Sequence, residues 1–295
     1  MNFIKERLQN FKFWIKRKKQ SYLKDKLFTK YSYIIKEFEN QKTVQADKQD
    51  SASLFPVWVC WWQGEENMPE LVKLCYNSLK RNANGHPIHL ITEENYLNYV
   101  VIPDYIIQKM NSGQISITHF SDILRVHLLF EHGGLWVDST ILVTFPLPKT
   151  ISNEFFSIKH KKKGQHVTGY RWTAFLIYTD KGNILANFLK TFFLEYWKKE
   201  EKLITYLMID YVFALAYDHI PAITQMVNRN MYNNTQHNEL RYLLKSGKAY
   251  DQNRFEAICS DTYLHKLTWK KKFLHVTKEG KPTYYAYLLK EFREP

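Results

Sequence analysis

Apolar and polar positions divide the chain into a basic helical segment and a body in which strands and helices alternate. Residues 3–40 place aromatic and aliphatic side chains among lysines and arginines at helical spacing, which predicts a basic amphipathic helix. The polar run 41–53 predicts a linker. After it, the apolar run 54–62 predicts a buried strand, residues 68–82 a helix and residues 86–92 a second strand. This order is typical of the start of a doubly wound α/β sheet.

The central stretch 118–148 continues the same alternation. Apolar spacing predicts a helix over 118–131, and the Gly133-Gly134 pair supplies the left-handed conformation that ends a helix. Residues 135–138 predict a short buried strand, and residues 141–145 predict another. We therefore expect one α/β body over 51–295 behind the N-terminal segment 1–50.

The second half of the body has weaker patterns. The charge-rich run 159–166 predicts an exposed loop. Residues 172–197 predict a strand followed by a helix that starts at 184. Residues 203–217 predict a further helix with Asp210 in its middle.

Composition and charge narrow the class of protein. With 295 residues, 45% of them hydrophobic and 16% aromatic, the chain is neither disordered nor fibrous. The net charge of +13 is concentrated at the ends: residues 1–30 hold ten Lys and Arg against two Asp and Glu, and residues 260–295 hold eight against four. The most apolar stretch, 206–217, is too short to span a bilayer, and residues 5–30, where Lys and Arg recur, lack the apolar core expected of a secretory signal. The three cysteines have no metal-type spacing, which favours a reducing compartment.

The N-terminal segment 1–50 is open to two interpretations. A basic amphipathic helix with aromatic residues is suited to an anionic membrane surface, where each basic residue contributes about 1 kcal/mol. The same pattern suits an ordinary solvated helix that packs on the body.

Three residues in the central stretch carry candidate chemistry. Asp122 and Arg125 lie three positions apart and share a helix face, which is also the pattern of a plain surface ion pair. Asp138 ends an apolar strand, where the sheets of α/β proteins bind ligands, so a metal ion, a cation or a polar ligand is expected there. Alternatively, Asp138 caps the following turn.

The run SDILRVHLLFEHGGLWVDST at 121–140 resembles the SDxLRxxxLxxxGGxYxDxD signature of DXD-containing glycosyltransferases of family 32. The ILVT that follows, and HKLTWK at 265–270, are similar to the bacterial capsular polysaccharide synthesis branch. The resemblance implies an α/β fold of GT-A type, a mixed sheet flanked by helices that binds a UDP-sugar and a divalent metal. We expect additional helical segments at the N-terminus and at the C-terminus of this fold.

The resemblance assigns donor contacts to individual residues. Trp62, in the turn after the first strand, matches an aromatic position that stacks on uracil, whereas Asp122 and Arg125 match contacts to the donor sugar or ribose. As the anomeric bond breaks, we expect a metal ion and cations such as Lys266 or Lys270 to neutralise the growing charge of the diphosphate. The expected donor-binding residues are Trp62, Gln63, Ser121, Asp122, Arg125, Asp138, Lys266 and Lys270.

The expected metal is Mn²⁺ or Mg²⁺, but the sequence departs from the DXD pattern. Asp138 matches the first acid, whereas Thr140 stands at the second, and a hydroxyl is a poorer ligand for hard divalent ions than a carboxylate. The metal ligands predicted here are Asp138, Thr140 and His265. His265 is alternatively a surface histidine in a basic run.

Catalysis needs a carboxylate near the oxocarbenium-like reacting sugar. Asp210 is the first candidate and Asp122 the second, with Asp138 as a further catalytic acid. Asp210 is alternatively a half-buried acid paired with a lysine or tyrosine. The resemblance implies retention of anomeric configuration and an α-linked product, and without an evident nucleophile we favour front-side attack.

The expected function is transfer of a hexose, galactose or glucose first, from UDP to a lipid-diphosphate-linked saccharide at the cytoplasmic face of the membrane. The alternative is a non-catalytic basic protein that binds anionic lipid or RNA through its charged ends and aromatic residues. No nucleic-acid-binding motif is present, and the alternative leaves Asp122, Arg125 and Asp138 without a role, so we expect no nucleic-acid partner.

Overall fold

The computed structural model describes residues 2–41, 54–161, 164 and 166–295. From residue 42 onward the predicted linker lies outside the described residues. A five-stranded mixed sheet forms the centre of the molecule. In spatial order its strands are β2 (Ile88–Ile91), β1 (Val57–Cys60), β3 (Gly134–Val137), β6 (Leu176–Thr179) and β5 (Phe155–Ser157).

Strand directions make this sheet mixed. β1 runs parallel to β2 and β3, whereas β6 runs antiparallel to both β3 and β5. Two further strands, β4 (Ile141–Val143) and β7 (Leu264–Lys266), form a separate antiparallel ribbon. The strand predicted at 141–145 therefore exists, but it is shorter than expected and pairs outside the main sheet.

Helices cover both faces of the sheet. They are α1 (Asn2–Glu39), α2 (Glu70–Arg81), α3 (Asp104–Asn111), α4 (Ile117–His132), α5 (Ile184–Lys199), α6 (Met208–His219), α7 (Pro221–Arg229), α8 (Glu239–Ser246), α9 (Gln252–Cys259) and α10 (Tyr284–Glu291). The expected α/β class, a mixed sheet flanked by helices, is confirmed. α6 begins at Met208, so Asp210 lies in its first turn and not in its middle.

The alternation of side chains in β3 explains its continuous apolar sequence. Leu135 and Val137 pack on one side of the sheet, whereas Trp136 packs on the other with α4, α5 and α6. All three are buried, because helices cover both faces.

Gly134 lets β3 approach β1 closely. Its φ is +96°, and an added Cβ would lie 2.2 Å from the carbonyl oxygen of Pro56. That oxygen accepts the hydrogen bond of the Leu135 amide at 2.9 Å. A larger residue would therefore break the pairing that positions the end of β3.

The second half of α1 belongs to the main core. Its buried residues Leu27, Tyr31, Ile34 and Phe38 join the same cluster as α5 and α6. In the first half, by contrast, Trp14 is exposed over 55% of its surface. Among the described residues, no helix is both long and apolar enough to cross a membrane.

Candidate functional site

Two adjoining cavities open where β1 and β3 end. Because these strands are parallel, their carboxyl ends meet at one edge of the sheet, as expected for ligand sites of α/β proteins. The cavities have volumes of about 560 and 660 Å³. Arg125, Asp138, Arg241 and Lys266 line both of them. This edge is the candidate active site.

Asp138 is held by three donors. Its Oδ1 accepts hydrogen bonds from Trp136 Nε1 at 2.9 Å and Arg125 Nη2 at 3.2 Å, and its Oδ2 accepts one from Lys266 Nζ at 2.7 Å. Burial alone would raise the pKa of Asp138, but the charges of Lys266 and Arg125 hold it below its ordinary value. Asp138 is therefore a firmly ionised carboxylate.

Arg125 links two of the three acids predicted from the sequence, Asp122 and Asp138. Its Nη2 lies 3.1 Å from Asp122 Oδ1 as well as near Asp138, and its Nη1 donates to the carbonyl of Ala174 at 2.6 Å. The guanidinium carbon lies 4.8 Å from the centre of the Trp136 ring. The Asp122–Arg125 pair is buried in the cleft wall and is not a solvated surface pair.

Asp210 reaches the larger cavity from the first turn of α6. Trp172 Nε1 donates to its Oδ1 at 3.3 Å, and His166 Nε2 lies 3.9 Å from its Oδ2. Burial first, and then the charge of Asp122, raise the pKa of Asp210 to about 7. A carboxyl group with this pKa can exchange a proton near neutral pH.

Aromatic residues line the smaller cavity at the end of β1. Trp62 contributes to its wall but is only 7% exposed, because it packs on Tyr96 and Phe120. Trp61 and Trp269 form an edge-to-face pair with ring centres 5.7 Å apart, and Trp269 is 45% exposed. Trp61 and Trp269 are therefore more accessible than Trp62 for stacking on a planar ligand, and the sequence analysis missed both of them.

The remaining predicted donor contacts also lie in the smaller cavity. Gln63, Ser121 and Lys270 line it. Ser121 Oγ donates to the carbonyl of Thr118 at 2.7 Å, which leaves an oxygen lone pair for a ligand. The structure thus brings all eight predicted donor-binding residues to one edge of the sheet.

His265 is not among the residues that line the cleft. Successive side chains of β7 point to opposite sides, so Lys266 reaches Asp138 while His265 faces inward. His265 is fully buried, with Nε2 3.1 Å from Thr144 Oγ1 and 3.9 Å from Cys259 Sγ, and burial lowers its pKa to about 3. His265 therefore lies neither in the cleft, where a metal ligand was expected, nor at the surface, which was the alternative.

The residues at Asp138 do not fit the expected Mn²⁺ or Mg²⁺. Both carboxylate oxygens of Asp138 already bind cationic side chains, and Thr140 offers only a neutral hydroxyl in the smaller cavity. In the part of the chain that the structure describes, no group of three His, Cys, Asp or Glu is arranged to hold a metal ion. Hard divalent ions prefer several free carboxylate or carbonyl oxygens, which this set lacks.

Several cleft residues carried no signal in the sequence. Arg241 on α8 lines both cavities, and His160, His166 and His237 line the larger one. His160 and His166 come from the run predicted as an exposed loop, of which residues 162, 163 and 165 lie outside the described residues. Burial lowers the pKa of all three histidines, that of His237 to about 4. The three are therefore neutral at pH 7.

Comparison with known families places this cleft in context. Residues 4–288 match the model of the family described as capsular polysaccharide synthesis protein. The chain belongs to this family. The match includes α1 from residue 4 onward and every residue of the cleft described above, so nearly all of the N-terminal helix is part of the shared family region.

Individual relatives are more distant. The O-glycosyltransferase PaGT of Phomopsis amygdali is 27% identical over 106 residues, which are 33% of this chain and 26% of that protein. The chain thus spans about a quarter of the length of this curated relative.

Three solved glycosyltransferase structures are similar in part. The PaToxG glycosyltransferase has a TM-score of 0.41 at 14% identity and covers 74% of this chain and 83% of its own. The apo-form glycosyltransferase GlyE of Streptococcus pneumoniae TIGR4 has a TM-score of 0.44 at 13% identity, and the match covers 82% of this chain and 61% of GlyE. The WbbM bifunctional glycosyltransferase has a TM-score of 0.39 at 11% identity, and the match covers 88% of this chain and 52% of WbbM.

Proposed function

We propose that this protein is a retaining glycosyltransferase of GT-A type. In this proposal it transfers a hexose, galactose or glucose first, from a UDP-sugar to a saccharide acceptor in capsular polysaccharide synthesis, and the product is α-linked. The main support is the convergence of Asp122, Arg125, Asp138, Asp210 and Lys266 at the carboxyl edge of β1 and β3. A non-catalytic lipid- or RNA-binding protein would not require these buried and partly buried charges to converge in one cleft.

The two cavities suit different parts of the reaction. The smaller one combines the partly exposed Trp61 ring and the exposed Trp269 ring with the Ser121 hydroxyl, which suits a nucleoside. The larger one contains Asp210 and three neutral histidines and suits the sugar acceptor. The diphosphate of the donor would lie between them, beside Arg241 and Lys266, which line both cavities.

The acids then have separate roles. Asp122, bound to Arg125, would accept hydrogen bonds from hydroxyl groups of the donor sugar, because among the described residues its second oxygen is paired only with His119, at 3.5 Å. Asp210 would face the oxocarbenium-like sugar, where a negative charge lowers the energy of the transition state. Its pKa of about 7 implies that donor cleavage rises as the pH increases through about 7.

A screen of UDP-sugars tests the proposed activity, with released UDP as the readout and no added acceptor. We expect hydrolysis of one UDP-hexose by the wild type and a loss of about 100-fold in Asp122→Asn. Asp218→Asn is the matched control, because Asp218 is a partly exposed acid on α6 that pairs with Lys24 away from the cleft. Hydrolysis of none of the UDP-sugars, or full activity in Asp122→Asn, would contradict the proposal.

A lipid-linked acceptor and a peripheral position at the cytoplasmic membrane face are part of the same proposal. Their support lies in the first half of α1, where Phe11 and Trp14 stand among basic residues and are 57% and 55% exposed. Deleting residues 1–40 would not test this position, because Leu27 and Tyr31 belong to the core.

Replacing Phe11 and Trp14 by serine leaves that core intact. We expect the double variant to lose most of its sedimentation with anionic vesicles, whereas Tyr33→Ala on the docked half of α1 keeps it. Equal sedimentation of the three proteins would remove the membrane part of the proposal.

A further inference from the structure

The cationic side chains around Asp138 occupy the place that a divalent metal would need. Lys266 Nζ binds one carboxylate oxygen at 2.7 Å, and Arg125 Nη2 and Trp136 Nε1 bind the other. A metal ion at Asp138 would have to share the carboxylate with an ammonium and a guanidinium, which repel it. The neighbouring Thr140 hydroxyl would stabilise the bound metal ion only weakly, since it carries no charge.

The charge of the two cavities matches a diphosphate without a metal ion. Among the described residues that line them, four are cations and three are carboxyl groups: Arg125, Arg241, Lys266 and Lys270, and Asp122, Asp138 and Asp210. Asp210 keeps its proton below about pH 7, so two positive charges remain in excess there, and one remains once Asp210 ionises. The diphosphate of a sugar nucleotide carries two negative charges. Adding Mn²⁺ would double the positive excess.

The fold positions Lys266 and Arg241 to bind the diphosphate of the donor. Asp138 holds Lys266, whose side chain is 19% exposed and whose Nζ lies 4.8 Å from the centre of the Phe175 ring. Arg241 lines both cavities, and its Nε is buried with no hydrogen-bond partner among the described residues. After burial and His160, the charges of Arg241 and Lys266 both contribute to lowering the pKa of His237, so both cations lie near this histidine.

We propose that Lys266 and Arg241 bind the donor diphosphate without a divalent metal, and that Asp138 fixes the Lys266 ammonium instead of coordinating a metal ion. This inference rests on the proposed function. As the acceptor oxygen bonds to the anomeric carbon, the bond from that carbon to the phosphate oxygen breaks. Its electron pair goes to the diphosphate, and the acceptor hydroxyl proton passes to the departing oxygen. Fixed cations stabilise this growing charge without reorganisation.

Calorimetric titration of the full-length protein with UDP tests the inference. We expect the Kd for UDP to agree within about twofold in EDTA and in MnCl₂, since the cations are already present. Lys266→Met should weaken UDP binding about 10- to 100-fold while uridine binding changes little, because a charged hydrogen bond to phosphate is lost. Lys272→Met is the control, an exposed lysine close by in the chain that lines neither cavity.

Each outcome separates this inference from the proposed function. Binding of UDP only with Mn²⁺ would overturn the metal-free site and leave a glycosyltransferase in place. Absence of binding in both solutions would overturn the proposed function together with the inference. If Lys266→Met does not fold, Arg241→Met on α8 replaces it, and unchanged UDP affinity in the folded variant would overturn the inference.

Discussion

Replacing Asp210 by asparagine should stabilise the folded protein while reducing its activity. Asp210 is 7% exposed, and burial raises its pKa from the ordinary 3.8 to about 7. Such a rise corresponds to about 4 kcal/mol of unfavourable free energy for keeping the ionised acid in the folded chain. Asparagine has the same shape, carries no charge and still accepts the hydrogen bond of Trp172.

The sign of the effect follows from proton binding. The folded chain keeps the Asp210 proton up to about pH 7, whereas the unfolded chain loses it near pH 4, so wild-type stability falls as the pH rises across that window. The free energy of unfolding of Asp210→Asn should therefore equal that of the wild type at about pH 3 and exceed it by up to about 4 kcal/mol above about pH 7.

Urea unfolding followed by circular dichroism at several pH values measures this difference. Asp218→Asn on the same helix is the control, and its effect should stay below about 1 kcal/mol, because Asp218 and its partner Lys24 are partly exposed. The reasoning fails if Asp210→Asn is less stable than the wild type at alkaline pH, or if its advantage does not grow with pH. UDP release measured on the same samples should fall, as expected where an unfavourably buried acid serves catalysis.

Two further substitutions test the cleft and its support. Arg125→Met should cost about 3 to 5 kcal/mol of unfolding free energy at neutral pH, because it leaves buried carboxylates without their shared partner; a loss below about 1 kcal/mol in urea unfolding would contradict this. Gly134→Ala should reduce soluble yield or cost at least about 3 kcal/mol, since its Cβ meets backbone. Gly182 also has a positive φ, but an added Cβ would meet open space, so Gly182→Ala should cost only about 1 kcal/mol of unfolding free energy. Equal melting temperatures for the two glycine variants would refute the argument from the close approach of Gly134 to Pro56.

Local patterns were sufficient to predict most of the central elements. The spacing of apolar residues placed α2, α4 and α5 within a few positions of their observed bounds. The glycine pair after α4 signalled the turn into β3, where φ is positive at both positions. These features depend on residues within one or two turns of each other, so a sequence pattern contains them.

Weak local patterns misplaced other features. The start of α6 differs by five residues from the prediction, because residues 203–207 are as apolar as the helix that follows them. The choice of Trp62 over Trp61 failed to identify the accessible ring, since adjacent tryptophans look alike in sequence and only packing on Tyr96 and Phe120 buries one of them.

By itself the sequence determined the α/β order of elements and the acidic residue at the end of β3. The tertiary structure decided which cations meet that acid. Asp138 and Lys266 are 128 residues apart, and pairing of β7 with β4 brings them together. The register of this short ribbon turns Lys266 toward the cleft and His265 into the core, and a shift of one residue would exchange them. A three-residue strand has too little pattern to reveal its register, so only long-range pairing could select the lysine.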